Sequence, residues 1–147
     1  MGDLESRKRY CAVLIEFFKN PERFEKLSDL SKSRIQMGNP LRILDSKEPG
    51  DIEASKDCPR ISEYLSKESI NEFVELQETL KGLDIPFVLN ENLVRGLDYY
   101  TKTCFEIKIK ADPTKERMRD TLIGGGRYDL LIGQLAREDN KDMPAIG

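Results

Sequence analysis

Two short runs hold most of the residues that could do chemistry: Leu93-Val94-Arg95-Gly96-Leu97-Asp98-Tyr99-Tyr100-Thr101 and Gly124-Gly125-Gly126-Arg127-Tyr128-Asp129. Each sets an arginine, a tyrosine and glycine close together. An arginine is charged at any working pH, and its planar fork suits two oxygens of a carboxylate or phosphate. A phenol both donates and accepts hydrogen bonds. Three successive glycines weaken a strand through backbone entropy, and are tolerated chiefly where another backbone or a ligand must come close; a plain bend is the competing reading. The glycine run has neither the Gly-Lys-Ser/Thr ending of a nucleotide loop nor the Gly-x-Gly-x-x-Gly spacing of a dinucleotide site. Alone, Arg95 reads first as a surface salt-bridge partner. The recurrence of the same residue types in the second run shifts the weight toward a site.

The chain contains no histidine. An imidazole base, a Ser-His-Asp triad and a histidine-ligated metal are therefore all excluded from its own residues. Cys11, Cys58 and Cys104 are odd in number and widely spaced, which argues against a disulfide framework or a cysteine zinc site and for reduced, partly buried thiols. Lys and Arg total 24 against 27 acidic residues, a net charge of −3, so there is no global basic field to draw in nucleic acid. Arg7-Lys8-Arg9 and Lys32-Ser33-Arg34 are local basic clusters that read as solvated helix faces. Apolar runs such as residues 13–15 and 85–89 are broken well before the roughly 20 residues a bilayer span needs. The start lacks the basic-then-apolar order of a signal peptide, and Gly2 lacks a myristoylation context, so a cytoplasmic location is expected.

These residues need a scaffold, and 147 residues with 38% hydrophobic and 35% charged content suffice for one modest core. The order of elements reads as α+β. Asp3 can cap a helix on which Tyr10, Val13, Leu14, Phe17 and Phe18 recur at helical spacing until about Asn20. Asn20-Pro21 looks like a second N-terminus, and Phe24, Leu27, Leu30 and Ile35 follow on one loose helical period, closed at Gly38-Asn39-Pro40. A turn is expected over residues 46–50, then short helical pieces to Leu65. Ser66 caps a clearer helix whose stripe Ile70, Phe73, Val74, Gln77 and Leu80 runs to Gly82. Residues 1–84 are thus mainly helical.

Residues 85–147 change character. The run 85–89, with Pro86, suits an edge strand. After an Asn90-Glu91-Asn92 turn, the chain alternates from Tyr99: Phe105, Ile107 and Ile109 on one face, Tyr100, Cys104, Glu106 and Lys108 on the other. One face should be core and the other open to a ligand, and the adjacent Tyr99 and Tyr100 should point apart. The charged stretch 111–120 should be an exposed connection to a second strand, residues 121–126, paired antiparallel with the first. Helical spacing resumes at Tyr128 to Leu135, and residues 141–147 head toward another strand.

On these residues the chain resembles the histidyl-tRNA synthetases, a class II family. The run from Leu93 to Thr101, continued by Thr103-Cys104-Phe105-Glu106, is similar nearly residue for residue to the first histidine-specific signature, and Gly124 to Asp129 to the second. Arg42-Ile43-Leu44-Asp45-Ser46-Lys47 after Asn39-Pro40 looks like the bacterial-type insertion domain, and Pro144-Ala145-Ile146-Gly147 like the lead-in to the last catalytic strand. The resemblance implies a helical insertion segment followed by part of the antiparallel sheet of the catalytic domain. It implies Arg95 as the catalytic arginine, against the α-phosphate of ATP and the histidine carboxylate. Tyr100 and Tyr128 would line the imidazole pocket with Tyr99 beside them, and Gly125 and Gly126 would let the substrate lie against the strand.

It further implies activation of histidine by ATP, with Mg2+ in the complete enzyme and no metal site in this chain, transfer to tRNA(His), and a homodimer for the full-length protein. Lys102 and Leu130 stand where the family usually has glycine. The first class II motif, the arginine strand of the second, the arginine helix of the third and the anticodon domain are not recognisable, so the isolated chain is expected not to charge tRNA. Two alternatives compete: a non-catalytic, synthetase-like regulatory subunit of histidine biosynthesis, which the intact run from Arg95 to Thr101 disfavours, and an RNA-contacting module.

Overall fold

The computed structural model describes residues 2–95, 99–109, 121–135 and 143–147. The chain forms two compact units, Met1–Gly96 and Leu97–Gly147. In the first, helix α1 (Leu4–Phe18) starts at Asp3, whose carboxylate accepts from the Ser6 amide at 2.8 Å. Its residues Tyr10, Leu14 and Phe18, four apart, are buried on one face, and Leu27, Ile35, Leu41, Ile43 and Ala54 complete the core. Burial of each large apolar side chain contributes roughly 1.5–3 kcal/mol.

The expected single period beyond Asn20 is in fact two helices, α2 (Pro21–Lys26) and α3 (Asp29–Gln36). Leu27 is buried in an extended conformation, φ −66° and ψ 142°, which breaks the helix. The cause lies downstream: the Asp51 carboxylate takes the Ser28 amide at 2.8 Å and the Ser28 hydroxyl at 2.9 Å, drawing both out of helical pairing. Ser28 then caps α3 through the Ser31 amide. Leu30, counted in that period, is 61% exposed. Gly38, at φ +74°, ends α3 as its type suggests. Pro49 and Gly50, expected in a turn, instead open α4 (Pro49–Ala54), because proline suits the first helical position. Single 3-10 turns occupy Pro40–Ile43 and Ile61–Tyr64.

Helix α5 (Lys67–Gly82) starts at Ser66 as expected. Its stripe stays at the surface, however: Ile70, Phe73 and Val74 are exposed. What fastens α5 is polar. Asp3 Oδ2 accepts from Ser66 Oγ at 2.6 Å, Ser69 Oγ at 2.8 Å and Ser6 Oγ at 2.9 Å, so one carboxylate joins the N-termini of α1 and α5. Residues 85–89 form no strand. Among the described residues nothing pairs with them, Pro86 has no N–H to offer, and Val88 is 92% exposed. The expected turn is present, with the Asn92 amide on Asn90 Oδ1 at 3.0 Å.

In the second unit, β1 (Thr101–Lys108) and β2 (Thr121–Arg127) pair antiparallel, with Cys104 opposite Gly126, Phe105 opposite Gly125 and Ile107 opposite Ile123. The register breaks between Thr101 and Cys104, where Lys102 takes φ +51°. This left-handed backbone favours glycine, the residue the resemblance leads one to expect there. Helix α6 spans Asp129–Leu135. The tail does reach toward a strand: the Gly126 amide donates to Gly147 O at 2.8 Å, the Tyr128 amide to Ala145 O at 2.9 Å, and Arg127 bridges Ile146. Ile107 and Ile109 are exposed, which corrects the expectation of a buried face on β1. Among the described residues no layer covers Ile107 and Ile109, and burial in this unit is confined to the Tyr100, Gly125, Gly126, Asp129 and Gly133 region. The connection 111–120 lies outside the described residues. All three cysteines are half-buried thiols.

Candidate functional site

Tyr99 and Tyr100 do not point apart. Their ring centroids lie 4.6 Å from one another, and Tyr128 meets both edge-on, at 5.9 Å from Tyr99 and 6.2 Å from Tyr100. Period-two alternation governs extended backbone only, and Tyr99 sits in a turn while Tyr100 precedes the strand. The left-handed Lys102 then sets the register of β1 beyond it. Edge-to-face aromatic pairs contribute about 0.5–1.5 kcal/mol each beyond area burial. Tyr100 is buried, whereas Tyr99 and Tyr128 are half-buried, so the cluster has an anchored ring and two accessible ones.

The glycines of β2 have a local cause. A Cβ on Gly126 would lie 2.8 Å from Thr103 O and 2.8 Å from the Tyr100 ring, and one on Gly125 would lie 2.6 Å from the Phe105 ring and closer still to Gly147 O. The close approach is made by the chain's own β1, tail and tyrosine. Gly126 thus lets the Tyr100 ring pack close against the strand, which is how the glycine run and the aromatic cluster become one feature. Arg127 and Asp129 work beside it: Arg127 Nε donates to both carboxylate oxygens of buried Asp129, at 2.9 and 2.7 Å, and Asp129 Oδ1 also accepts from the Ala145 amide at 3.0 Å. This clamp holds the tail against the start of α6, with the Tyr128 hydroxyl end over Gly147.

Arg95 belongs to the first unit. Its neighbour Val94 packs against the core of that unit, and Arg95 itself is half-buried in a cleft shared with Arg34, Arg42 and Lys47. The structure therefore brings together Tyr99, Tyr100, Gly125, Gly126 and Tyr128 in one unit and places Arg95 in the other. Sequence reasoning passed over Arg34, Arg42 and Lys47 as site residues, though a basic cluster at Lys32-Ser33-Arg34 was visible. Among the described residues, no group of three or more Cys, Asp and Glu is placed to hold a metal ion.

Ionisation reinforces which groups are structural. Burial pushes the Cys58 thiol up to about 11, which leaves it a poor nucleophile. Burial likewise raises Tyr10, whose hydroxyl donates to Pro59 O at 2.8 Å. Burial would raise Asp51 too, but hydrogen bonds from Ser31, Ser46 and Ser28 outweigh it and hold the carboxyl below its usual range. Asp3 is lowered in the same way, by Ser66, Ser6 and Ser69 against burial.

No family model matches the chain. It is 41% identical to a histidine–tRNA ligase of Psychrobacter across 100% of its own length and 34% of the ligase. It is 45% identical to that of Prochlorococcus marinus and 44% identical to the chloroplastic one of Porphyra purpurea, in each case over 100% of this chain and 32% of the relative. No helix among the described residues is long and apolar enough to cross a membrane. The likeness to histidine–tRNA ligases therefore runs through the whole of this chain and takes in about a third of each relative, and it is to that family that the sequence relates.

Proposed function

We propose that this chain is the part of a histidine–tRNA ligase that supplies the histidine pocket and the catalytic arginine. The whole enzyme activates histidine with ATP to histidyl-adenylate and transfers it to tRNA(His), as a cytoplasmic class II homodimer. The observation that carries the reading is the convergence of Tyr99, Tyr100 and Tyr128 on the glycine strand, at the two runs that resemble the family's signatures.

The chemistry suits the residues. A carboxylate is already ionised at neutral pH, so its attack on phosphorus needs no base. It needs positive charge fixed where negative charge accumulates, and Arg95 is the residue for that role. Half-buried phenols present hydrogen-bonding oxygens to an imidazole, and a polar site left unpaired by a wrong side chain discriminates by about 10⁴ or more. Gly125 and Gly126 let the Phe105 and Tyr100 rings pack close against the strand beside that pocket. Mg2+ would accompany ATP in the complete enzyme; no cluster of ligands for it stands among the described residues, and the roles of Arg95 and the tyrosines do not pass through it.

The test is histidine-dependent ATP–pyrophosphate exchange in a complete ligase carrying this segment. Arg95→Ala should lower the rate by about 10²-fold while leaving the circular dichroism spectrum unchanged. An unaltered rate would remove Arg95 from the chemistry.

A further inference from the structure

Arg95 is reached along a segment with little regular structure to hold it. From Leu83 to Arg95 the chain forms neither helix nor strand, and Val88 is 92% exposed. Asn90 turns the backbone, its Oδ1 accepting from the Asn92 amide at 3.0 Å and its carbonyl from the Leu93 amide at 3.3 Å. Ordering such a stretch costs conformational entropy, which a helix or sheet offsets with its own hydrogen bonds. Here side-chain contacts carry that role. Past the turn, Val94 packs on the core of the first unit. At the turn itself, the Glu91 carboxylate accepts from the Ser62 hydroxyl and pairs with Arg60 at 3.4 Å.

What Glu91 grips is well anchored. Ser62 belongs to the Ile61–Tyr64 turn, of which Ile61 and Tyr64 pack against the core. The Tyr64 ring lies 5.7 Å from that of buried Tyr10, and the Tyr64 carbonyl accepts from Arg9 Nη2 at 3.0 Å. A line of contacts thus runs from α1 through this turn to Glu91, which precedes Arg95 by four residues. The Arg60 side chain is 72% exposed and that of Glu91 35%, and ion pairs so open to water add little to folding stability. Placement is another matter, because a displacement of about 1 Å at a catalytic group can lower a rate by about 10²-fold.

We propose that Glu91 is a positioning residue for Arg95: its hold on Ser62 and Arg60 sets the path along which residues 92–94 deliver the guanidinium. The proposal rests on the reading of Arg95 as the charge that meets the reacting phosphate, and it adds a group that acts through Arg95 without touching substrate.

The experiment is histidine-dependent pyrophosphate exchange in a complete ligase carrying this segment, with Glu91→Ala, Glu91→Gln, Arg95→Ala and the double variant Glu91→Ala/Arg95→Ala. Glu91→Ala should lower the rate by about tenfold at an unchanged thermal midpoint. Glu91→Gln keeps an acceptor for the Ser62 hydroxyl and should recover most of that loss. In the Arg95→Ala background, Glu91→Ala should change the rate by less than about twofold, since nothing is left for it to place. A merely structural role would lower the rate in both backgrounds alike. Should Glu91→Ala fail to fold, Ser62→Ala, which removes the hydroxyl donor instead, takes its place in the same cycle. An unaltered rate, or an equal loss with and without Arg95, overturns the proposal and leaves the role of Arg95 standing. An unaltered rate in Arg95→Ala itself overturns both, so the two failures are distinct.

Discussion

Asp51→Asn should be the most damaging isosteric change in the first unit. The carboxylate is fully buried and carries four hydrogen bonds: Oδ1 accepts from the Ser28 amide at 2.8 Å, and Oδ2 from Ser28, Ser31 and Ser46 hydroxyls at 2.9, 2.6 and 2.6 Å. Asparagine can keep the first. It turns an NH2 group, a donor, toward three hydroxyls that were donating. Hydrogen bonds to a charged group contribute about 1.5–3 kcal/mol each, but the hydroxyls can rotate and accept, so the sum is not additive. The net loss should be about 2–4 kcal/mol, a large share of the roughly 5–15 kcal/mol that holds a domain folded.

The pH dependence has a definite sign. Because the folded carboxyl is held below its ordinary value, its stabilisation is complete above the unfolded pKa of about 3.9 and fades as pH falls through the folded one. Asp51→Asn removes that contribution, so the gap between the two proteins should be widest near neutrality and narrow below about pH 3.9. Asp3 is lowered by the same kind of network, and both proteins should keep its acid sensitivity. Urea unfolding followed by far-ultraviolet circular dichroism at several pH values measures this. A gap under about 0.5 kcal/mol at neutral pH, the size of an ordinary surface change, would refute the reasoning.

Tyr128→Phe in a complete ligase should raise the KM for histidine more than that for ATP, read by pyrophosphate exchange; equal changes would assign the phenol to packing over Gly147. Lys102→Gly should raise the thermal midpoint of the chain, since relief of the left-handed backbone contributes roughly 1 kcal/mol. Gly126→Ala should destabilise by about 1–3 kcal/mol and loosen the aromatic cluster, because its Cβ meets Thr103 O and the Tyr100 ring; near-ultraviolet circular dichroism reports the tyrosines directly.

Features encoded within a turn of helix or along one strand were legible in the sequence. Asp3, Asn20 and Ser66 announced helix starts by type and position, and all three cap as expected. The antiparallel pairing of β1 with β2 followed from two strand-like runs around a charged connection. What escaped was set by distant partners. Nothing near Leu27 foretells that a carboxylate 23 residues beyond Ser28 will break the helix there. The run 85–89 is apolar enough for a strand, but hydrophobicity does not specify a pairing partner. The meeting of Tyr99 with Tyr100 depended on a turn at Tyr99 ahead of the strand, where period-two alternation does not apply. For the arginines, α3, the 3-10 turn and residue 95 converge on a cleft through tertiary packing, which no local spacing records.

The carboxylate that joins α1 to α5 also bears on the order in which the chain is made. Asp3 leaves the ribosome before Ser66 and Ser69, which lie 63 and 66 residues behind it. At roughly 5–20 residues per second, those partners emerge about 3–13 s later. During that interval Asp3 has only the local Ser6 contacts, and α1 can form without its final anchor. Closure of the cap is thus a long-range event that waits for the start of α5 to be made.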